Sequence, residues 1–148
     1  MTKVEIRFND PRAEERGVPK YATVGSAGLD LVACDNAMVY PGETVQFPMG
    51  YSIYIGDHTL AGLIMPRSGL GVKGIMPANV LGLIDSDYQG ELMVHLKNHS
   101  NEEYLIQNGD RIAQLVFVPI EHVSFSVVNE FSYTTERGGG GVGSTGDA

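Results

Sequence analysis

The residue types best suited to catalysis occur together at positions 79–90, which read NVLGLIDSDYQG. Four apolar side chains lead to Asp85, and Asp87 follows two residues later, so an extended chain places both carboxylates on one face. An acid at the end of an apolar strand is rigidly held and partly desolvated, which suits a general base. On residue types alone, the pattern is more typical of a hairpin turn capped by aspartates, and both interpretations remain open.

A second segment, PRSGLG at positions 66–71, has the features of an anion-binding turn. Ser68 is suited to cap a short helix, and the glycines on either side of Leu70 allow close approach to the backbone. Exposed amides at a helix start bind anions, and Arg67 adds charge-assisted hydrogen bonds. A capped turn with a solvated arginine is the alternative interpretation.

Two further segments place polar side chains on apolar strands. In GDRIAQL, at positions 109–115, Asp110 and Gln114 share one face of the predicted strand. A buried glutamine there needs a hydrogen-bonding partner, either structural or a ligand phosphate. In AGLDLVA, at positions 27–33, Asp30 lies within an apolar strand, so its carboxylate must be paired, near a metal or at the surface.

Other patterns do not indicate a site. His95 and His99 have the spacing of a zinc-binding helix, but they lie on or beside a predicted strand, so we interpret them as ordinary surface or packing histidines. Positions 138–145 have the spacing of a phosphate-binding P-loop, but Ser144 stands where lysine is required. The single cysteine, Cys34, cannot form an intrachain disulfide, lacks a neighbouring base and is expected to be inert.

Short strands separated by turns must position these residues. Alternating or continuous apolar runs predict strands that include positions 4–8, 27–33, 37–39, 44–55, 60–65, 80–84, 91–98, 111–120 and 123–128. Only positions 69–75 suggest a short helix. With 19 glycines and 7 prolines, the composition favours an all-β, jelly-roll-like β-barrel with one short helix.

The length of 148 residues suits a single domain. We assign it to residues 1–136, because residues 137–148 are rich in glycine and contain one apolar side chain other than alanine, Val142. Burial cannot offset the ordering entropy of such a segment, so we expect it to be flexible. An arginine followed by closely spaced glycines also suits a lid over a phosphate.

The charge balance restricts the ligands. A net charge of −8 argues against a general nucleic-acid surface, so phosphates must be held by a few arginines, backbone amides and a cation. Neither a signal-like segment nor a long apolar run is present, so we expect no membrane association. A reducing, cytoplasmic location is the expectation for a chain with one cysteine.

Together these segments resemble the five ordered motifs of the trimeric dUTPase family, and they span most of the chain. The motifs are AGLDLVA at 27–33, PRSGLG at 66–71, NVLGLIDSDYQG at 79–90, GDRIAQLVF at 109–117 and RGGGGVGSTG at 137–146. The resemblance implies hydrolysis of dUTP to dUMP and pyrophosphate, which limits uracil incorporation into DNA and supplies dUMP for thymidylate synthesis. It also implies Mg²⁺ and a jelly-roll homotrimer whose active sites lie at subunit interfaces.

The resemblance also assigns roles within the third motif. Asp85 would be the catalytic base that activates water for attack on the α-phosphorus. Tyr88 would pack under the deoxyribose and exclude a 2′-hydroxyl. The uracil edge would be read by Asn79 and by the backbone around Leu83, Ile84, Asp85 and Met93.

The remaining motifs would bind the triphosphate. The phosphates would be held by Arg67, Ser68, Gly69 and Gln114. Asp30 would act through water on a magnesium ion chelated mainly by the substrate. Arg137 and the glycines after it, including Gly143, would close as a lid supplied by another subunit. Because Val142 stands where the family commonly has an aromatic residue, we expect a weaker lid and poorer substrate affinity.

Three other functions compete with this interpretation. A dCTP deaminase shares the fold but uses a glutamate in its third segment, where this chain has Asp85 with Tyr88. A non-catalytic nucleotide-sensing protein would not require the full set of polar site residues. A structural jelly-roll module would leave Gln114 and the arginine-glycine tail unexplained.

Overall fold

The computed structural model describes residues 2–141 and consists mainly of antiparallel β-strands. The strands in this range are β1 (Glu5–Phe8), β2 (Leu29–Val32), β3 (Ala37–Val39), β4 (Thr44–Tyr54), β5 (Leu60–Met65), β6 (Ile75–Pro77), β7 (Gly82–Ile84), β8 (Glu91–Asn98), β9 (Tyr104–Ile106) and β10 (Arg111–Pro119). The helices are α1 (Pro11–Arg16) and α2 (Ser68–Gly71).

The strands form two four-stranded sheets and one two-stranded sheet. The first sheet has the order β1-β4-β8-β6, the second has the order β2-β10-β5-β7, and β3 pairs with β9. Every pairing is antiparallel, with long connections between sheets. This arrangement confirms the predicted all-β, jelly-roll-like class.

The core lies between the sheets and follows the period-two alternation of their strands. Along β8, Leu92, Val94 and Leu96 are buried, and their neighbours face outward. Asn98 at the end of β8 is also fully buried, and its amide donates to the Val39 carbonyl oxygen at 2.8 Å. Its hydrogen bonds keep this buried polar group satisfied and fasten β8 to β3.

β5 is paired on both edges. On one side Gly62 pairs with Ile84 of β7, and on the other Met65 pairs with Gln114 of β10. The hairpin that carries Asp85 and the strand that carries Gln114 are therefore fixed by the same strand.

Most predicted strands are confirmed, and their ends shift by a few residues at most. The three-residue strands β6 and β9 were not predicted, because such short runs show no clear alternation. The predicted strand at 123–128 is wrong for the isolated chain, in which no strand forms there. Its large apolar side chains are exposed, and Phe125 retains 93% of its accessible surface.

The helix prediction was incomplete. α1 was missed, although Asp10 followed by Pro11 is a recognisable helix start, and the Asp10 carboxylate accepts a hydrogen bond from the Arg12 amide at 2.8 Å. α2 lies close to its predicted position, but Arg67 is its N-cap and no side chain caps it. The prediction that Ser68 caps this helix was therefore wrong. None of the helices between residues 2 and 141 is long and apolar enough to cross a bilayer.

The turn before β7 contains a strained residue. Val80 has a φ of 62° and is the one non-glycine residue with positive φ in the range 2–141. Its amide donates to the Pro77 carbonyl oxygen at 3.0 Å, and the Leu81 amide donates to the Asn79 carbonyl oxygen at 2.6 Å. These hydrogen bonds hold a β-branched residue in a region that it disfavours.

We predict that Val80→Asn stabilises the protein, because asparagine tolerates positive φ and Val80, 62% exposed, has little burial to lose. The gain should be about 1 kcal/mol, or roughly 3 °C in the thermal midpoint. Differential scanning calorimetry would measure it. Leu81→Asn, at the half-exposed neighbour, is the control and should give no gain. An unchanged or lower midpoint for Val80→Asn would contradict the strain at this turn.

Candidate active site

Two open cavities contain most of the predicted site residues. The first, here called the hairpin cavity, has a volume of about 300 Å³ and is lined by Ile64, Asn79, Gly82, Leu83, Ile84, Asp85, Tyr88, Glu91, Leu92, Met93 and His95. The second, here called the arginine cavity, has a volume of about 540 Å³ and is lined by Ala22, Ser26, Ala27, Gly28, Asp30, Arg67, Ser68, Gly69, Arg111 and Gln114. The structure thus separates the predicted base-binding residues from the predicted phosphate-binding residues.

The hairpin cavity is shaped by β7 and the turn that follows it. The Tyr88 amide donates to the Asp85 carbonyl oxygen at 3.2 Å, which closes the turn. The Tyr88 hydroxyl donates to the Glu91 carbonyl oxygen at 3.0 Å and fixes the ring over Gly90. A Cβ at Gly90 would overlap that hydroxyl, so only glycine accommodates the ring there. Tyr88 is consequently held as a flat apolar wall of the cavity.

The Asp85 carboxylate is available for chemistry. It is exposed in the cavity wall and forms no side-chain hydrogen bond or ion pair within residues 2–141. Asp87 lines neither cavity and lies in the turn. Of the two carboxylates that the sequence suggested as bases, only Asp85 therefore lines one of these cavities. The alternative that these aspartates cap the turn is not supported, because neither side chain bonds to the turn backbone.

The arginine cavity is organised around Asp30. The Arg67 Nε lies 2.9 Å from Asp30 Oδ1, and an Arg111 nitrogen lies 3.3 Å from Asp30 Oδ2. A second nitrogen of Arg67 donates to the Arg111 carbonyl oxygen at 3.0 Å. One carboxylate thus holds two guanidinium groups together, leaving a net positive charge that suits a polyanion.

Gln114 forms the floor of the same cavity. It pairs with Asp30 across β2 and β10, and its amide nitrogen donates to the Pro66 carbonyl oxygen at 2.9 Å. A Cβ built on Gly28 would lie 2.8 Å from Gln114 Oε1. A methyl group at position 28 would therefore force the end of the Gln114 side chain to move.

The described residues fit a magnesium ion only if that ion binds together with a phosphate-containing ligand. Within the described range no group of three or more His, Cys, Asp or Glu side chains could hold a metal. Asp30 is the one carboxylate among the residues that line the arginine cavity. Mg²⁺ usually keeps several waters and binds one or two carboxylates together with substrate phosphates. Asp30 is therefore suited to interact with such an ion through one of its bound waters.

The structure also contains site residues that the sequence did not indicate. Arg111 lies within the fourth motif, but its role as a partner of Asp30 depends on the pairing of β10 with β2. Ser26 lines the cavity from an irregular loop that no pattern marks.

Cys34 is buried, and burial raises its thiol pKa, in line with its expected inertness.

The C-terminal residues that the structure describes, 137–141, line neither cavity. Arg137 is exposed and donates a hydrogen bond to the Gly140 carbonyl oxygen at 3.0 Å, within its own segment. It lines neither the hairpin cavity nor the arginine cavity. Val142 and Gly143 lie outside the described residues.

Asp85 and Arg67 are at opposite ends of β5. Ile84 pairs with Gly62, and the antiparallel register carries Asp85 further away from Met65 and Arg67. From Gly62 to Arg67 the extended chain covers roughly 16 Å, at about 3.3 Å per residue. The ion pair with Asp30 holds the arginine side chain on the far side of that gap.

Comparison with known proteins gives consistent matches over nearly the whole chain. A family model described as dUTPase matches residues 14–146. The deoxyuridine 5′-triphosphate nucleotidohydrolase of Photorhabdus laumondii is 53% identical over 150 residues, covering 99% of this chain and 98% of that protein. The protein of the same name from Pasteurella multocida is 54% identical, with 99% of each chain covered.

Solved structures show the same fold. The dUTPase of Staphylococcus bacteriophage 80alpha, bound to dUPNHPP, superposes with a TM-score of 0.85 at 25% identity, covering 99% of this chain and 100% of that chain. A variant dUTPase of phage phi11 of S. aureus, which coordinates a structural Mg(II) ion, has a TM-score of 0.78 at 24% identity, covering 88% and 99% of the two chains. At 24% identity, the similarity to the phi11 enzyme shows a shared fold only.

We predict that Gly28→Ala weakens binding of inorganic tripolyphosphate about tenfold, because the new methyl group displaces Gln114 from the cavity floor. Isothermal titration calorimetry would measure the affinity. Gly25→Ala is the matched control, since a Cβ there meets nothing within 4 Å. Equal affinity of the two variants would show that Gln114 has no part in anion binding.

Proposed function

The chain belongs to the dUTPase family, and on that premise we propose that it hydrolyses dUTP to dUMP and pyrophosphate through the residues of its two cavities. The observation that carries this assignment is an Asp85 carboxylate without a side-chain partner in residues 2–141, beside Tyr88 in one cavity, with Arg67 and Arg111 paired to Asp30 in the other. In the cell this reaction limits uracil incorporation into DNA and supplies dUMP for thymidylate synthesis.

Asp85 acts as the general base. It accepts a proton from a water molecule, and that water attacks the α-phosphorus, with pyrophosphate as the leaving group. The exposed carboxylate can reach such a water because no protein group within residues 2–141 occupies its oxygens. Base assistance of this kind contributes about 10²–10⁴-fold to the rate.

The hairpin cavity selects the nucleoside. Asn79 and the backbone around Leu83, Ile84 and Met93 bind the uracil edge, and hydrogen bonds of this kind discriminate strongly between related bases. Tyr88, fixed by its bond to the Glu91 carbonyl, packs under the deoxyribose and leaves no room for a 2′-hydroxyl.

The arginine cavity binds the triphosphate. Arg67, Ser68, Gly69 and Gln114 hold the phosphate oxygens, and the Asp30 carboxylate keeps the arginine in position. Mg²⁺ bound with the triphosphate would neutralise part of its charge, and Asp30 would hold that ion through water. Positioning and charge neutralisation are the main requirements of attack at phosphorus.

The complete site is formed between subunits of a homotrimer. A base must lie within about 3 Å of the water that it activates, yet Asp85 and Arg67 of one chain are separated by roughly 16 Å of strand. The exposed apolar side chains of residues 121–133, among them Phe125 and Phe131, also suit burial against another subunit. The partners are therefore dUTP and two further copies of the chain.

We propose that a lid begins at Arg137, after the barrel domain of residues 1–136, and closes over the triphosphate bound by neighbouring subunits. The exposure of Arg137 outside both cavities of its own chain supports this assignment. A cytoplasmic location accords with the buried, free thiol of Cys34.

Pyrophosphate release from dUTP, UTP, dCTP and dTTP, each with and without Mg²⁺, tests the proposed function. We expect rapid, magnesium-dependent cleavage of dUTP alone. Ammonia release from dCTP would assign a deaminase instead. Nucleotide binding without cleavage of any substrate would assign a sensing role.

Asp85→Asn should reduce the turnover number by at least about 10²-fold while dUTP still binds, because the amide cannot accept the proton. Single-turnover kinetics and calorimetric titration would separate the two effects. Asp87→Asn is the matched control, as Asp87 lines neither cavity. Retained turnover in Asp85→Asn would remove this residue from the base role.

Tyr88→Ala should raise cleavage of UTP relative to dUTP by roughly tenfold, because the ring no longer excludes a 2′-hydroxyl. The ratio of kcat/KM values for the two nucleotides measures the change. Tyr40→Ala, at an exposed tyrosine outside both cavities, should leave that ratio unchanged. The same ratio in Tyr88→Ala and the parent protein would refute a steric role for the ring.

A further inference from the structure

His95 is a cavity-lining residue to which the proposed function gives no role. Along β8, Met93 and His95 point to one side, while Val94 between them is buried. His95 lines the hairpin cavity and is exposed to solvent. A base bound in that cavity would therefore lie within its reach.

The backbone links His95 to the segment that carries Asn79. The Ala78 amide donates a hydrogen bond to the His95 carbonyl oxygen at 2.7 Å. Asn79 follows directly and lines the same cavity. Because this hydrogen bond holds the segment against β8, Asn79 and His95 form neighbouring parts of one wall.

The His95 imidazole does not bond to any other described part of the chain. Its nitrogens form no hydrogen bond and no ion pair with any residue between positions 2 and 141. A neutral imidazole offers one N–H donor and one acceptor nitrogen. The donor matches the carbonyl oxygens that a uracil ring presents at its edge.

We propose that His95 is a further substrate-binding residue, whose imidazole donates a hydrogen bond to a carbonyl oxygen of the pyrimidine base beside Asn79. The inference rests on the proposed function, because it requires the hairpin cavity to hold the base. It adds a side-chain contact to base recognition, and the chemical step does not depend on it.

Calorimetric titration of the full-length protein with dUMP and with 2-deoxyribose 5-phosphate tests this role. His95→Ala should weaken dUMP binding about fivefold to tenfold, the value of one hydrogen bond, and leave the affinity for the base-free sugar phosphate unchanged. His95→Gln retains an N–H donor and should recover most of the loss. His99→Ala, at an exposed histidine outside the cavity, is the matched control.

A spectroscopic measurement gives an independent readout. Addition of dUMP should shift the imidazole NMR resonances of His95 and leave those of His99 in place. A dUMP affinity within twofold of the parent value in His95→Ala, or an equal loss for both ligands, would overturn the role of His95 alone. Failure of the parent protein to bind dUMP would overturn the proposed function as well.

Discussion

The two-sided pairing of β5 is the constraint on which the candidate site depends. β7 pairs with one edge and positions the turn that carries Asp85, while β10 pairs with the other and positions Gln114 opposite Asp30. Since strands are rigid over such short lengths, the two groups of residues cannot approach each other within one chain. The same pairing that orders each cavity also keeps the cavities apart.

Because the two cavities of one chain lie apart, the proposed site depends on the assembly of several chains. Each chain presents the hairpin cavity and the arginine cavity, and each is open to solvent. The arginines are already arranged by Asp30 before any ligand is present, so binding need not reorganise them. Joining one cavity of a chain to the other cavity of its neighbour completes the proposed site, and the exposed apolar side chains of residues 121–133 provide surface for that contact.

The sequence predicted the fold class, and most of the candidate site residues that it indicated line the two cavities, because both depend on local patterns. Strand alternation identified β4, β8 and β10, and the motif around Asp85 identified the hairpin cavity. Features that depend on strand register could not be predicted from the sequence. Arg111, for example, becomes a partner of Asp30 only once β10 pairs with β2. His95 is exposed, as expected of a surface or packing histidine, but its place in the hairpin cavity depends on how the segment before β7 packs against β8. The strand predicted at 123–128 does not form because no edge within residues 2–141 pairs with it.

Subunit complementation tests the shared site most directly. Asp85→Asn and Arg67→Ala each remove one half of the proposed site, so each variant alone should be inactive towards dUTP. When equal amounts are unfolded and refolded together, random mixing should restore roughly one quarter of the parental rate, because a site needs an intact residue from each of two subunits. If both halves belonged to the same chain, every site would lack one of them. No activity in the refolded mixture, beyond that of the separate variants, would contradict a site formed between subunits.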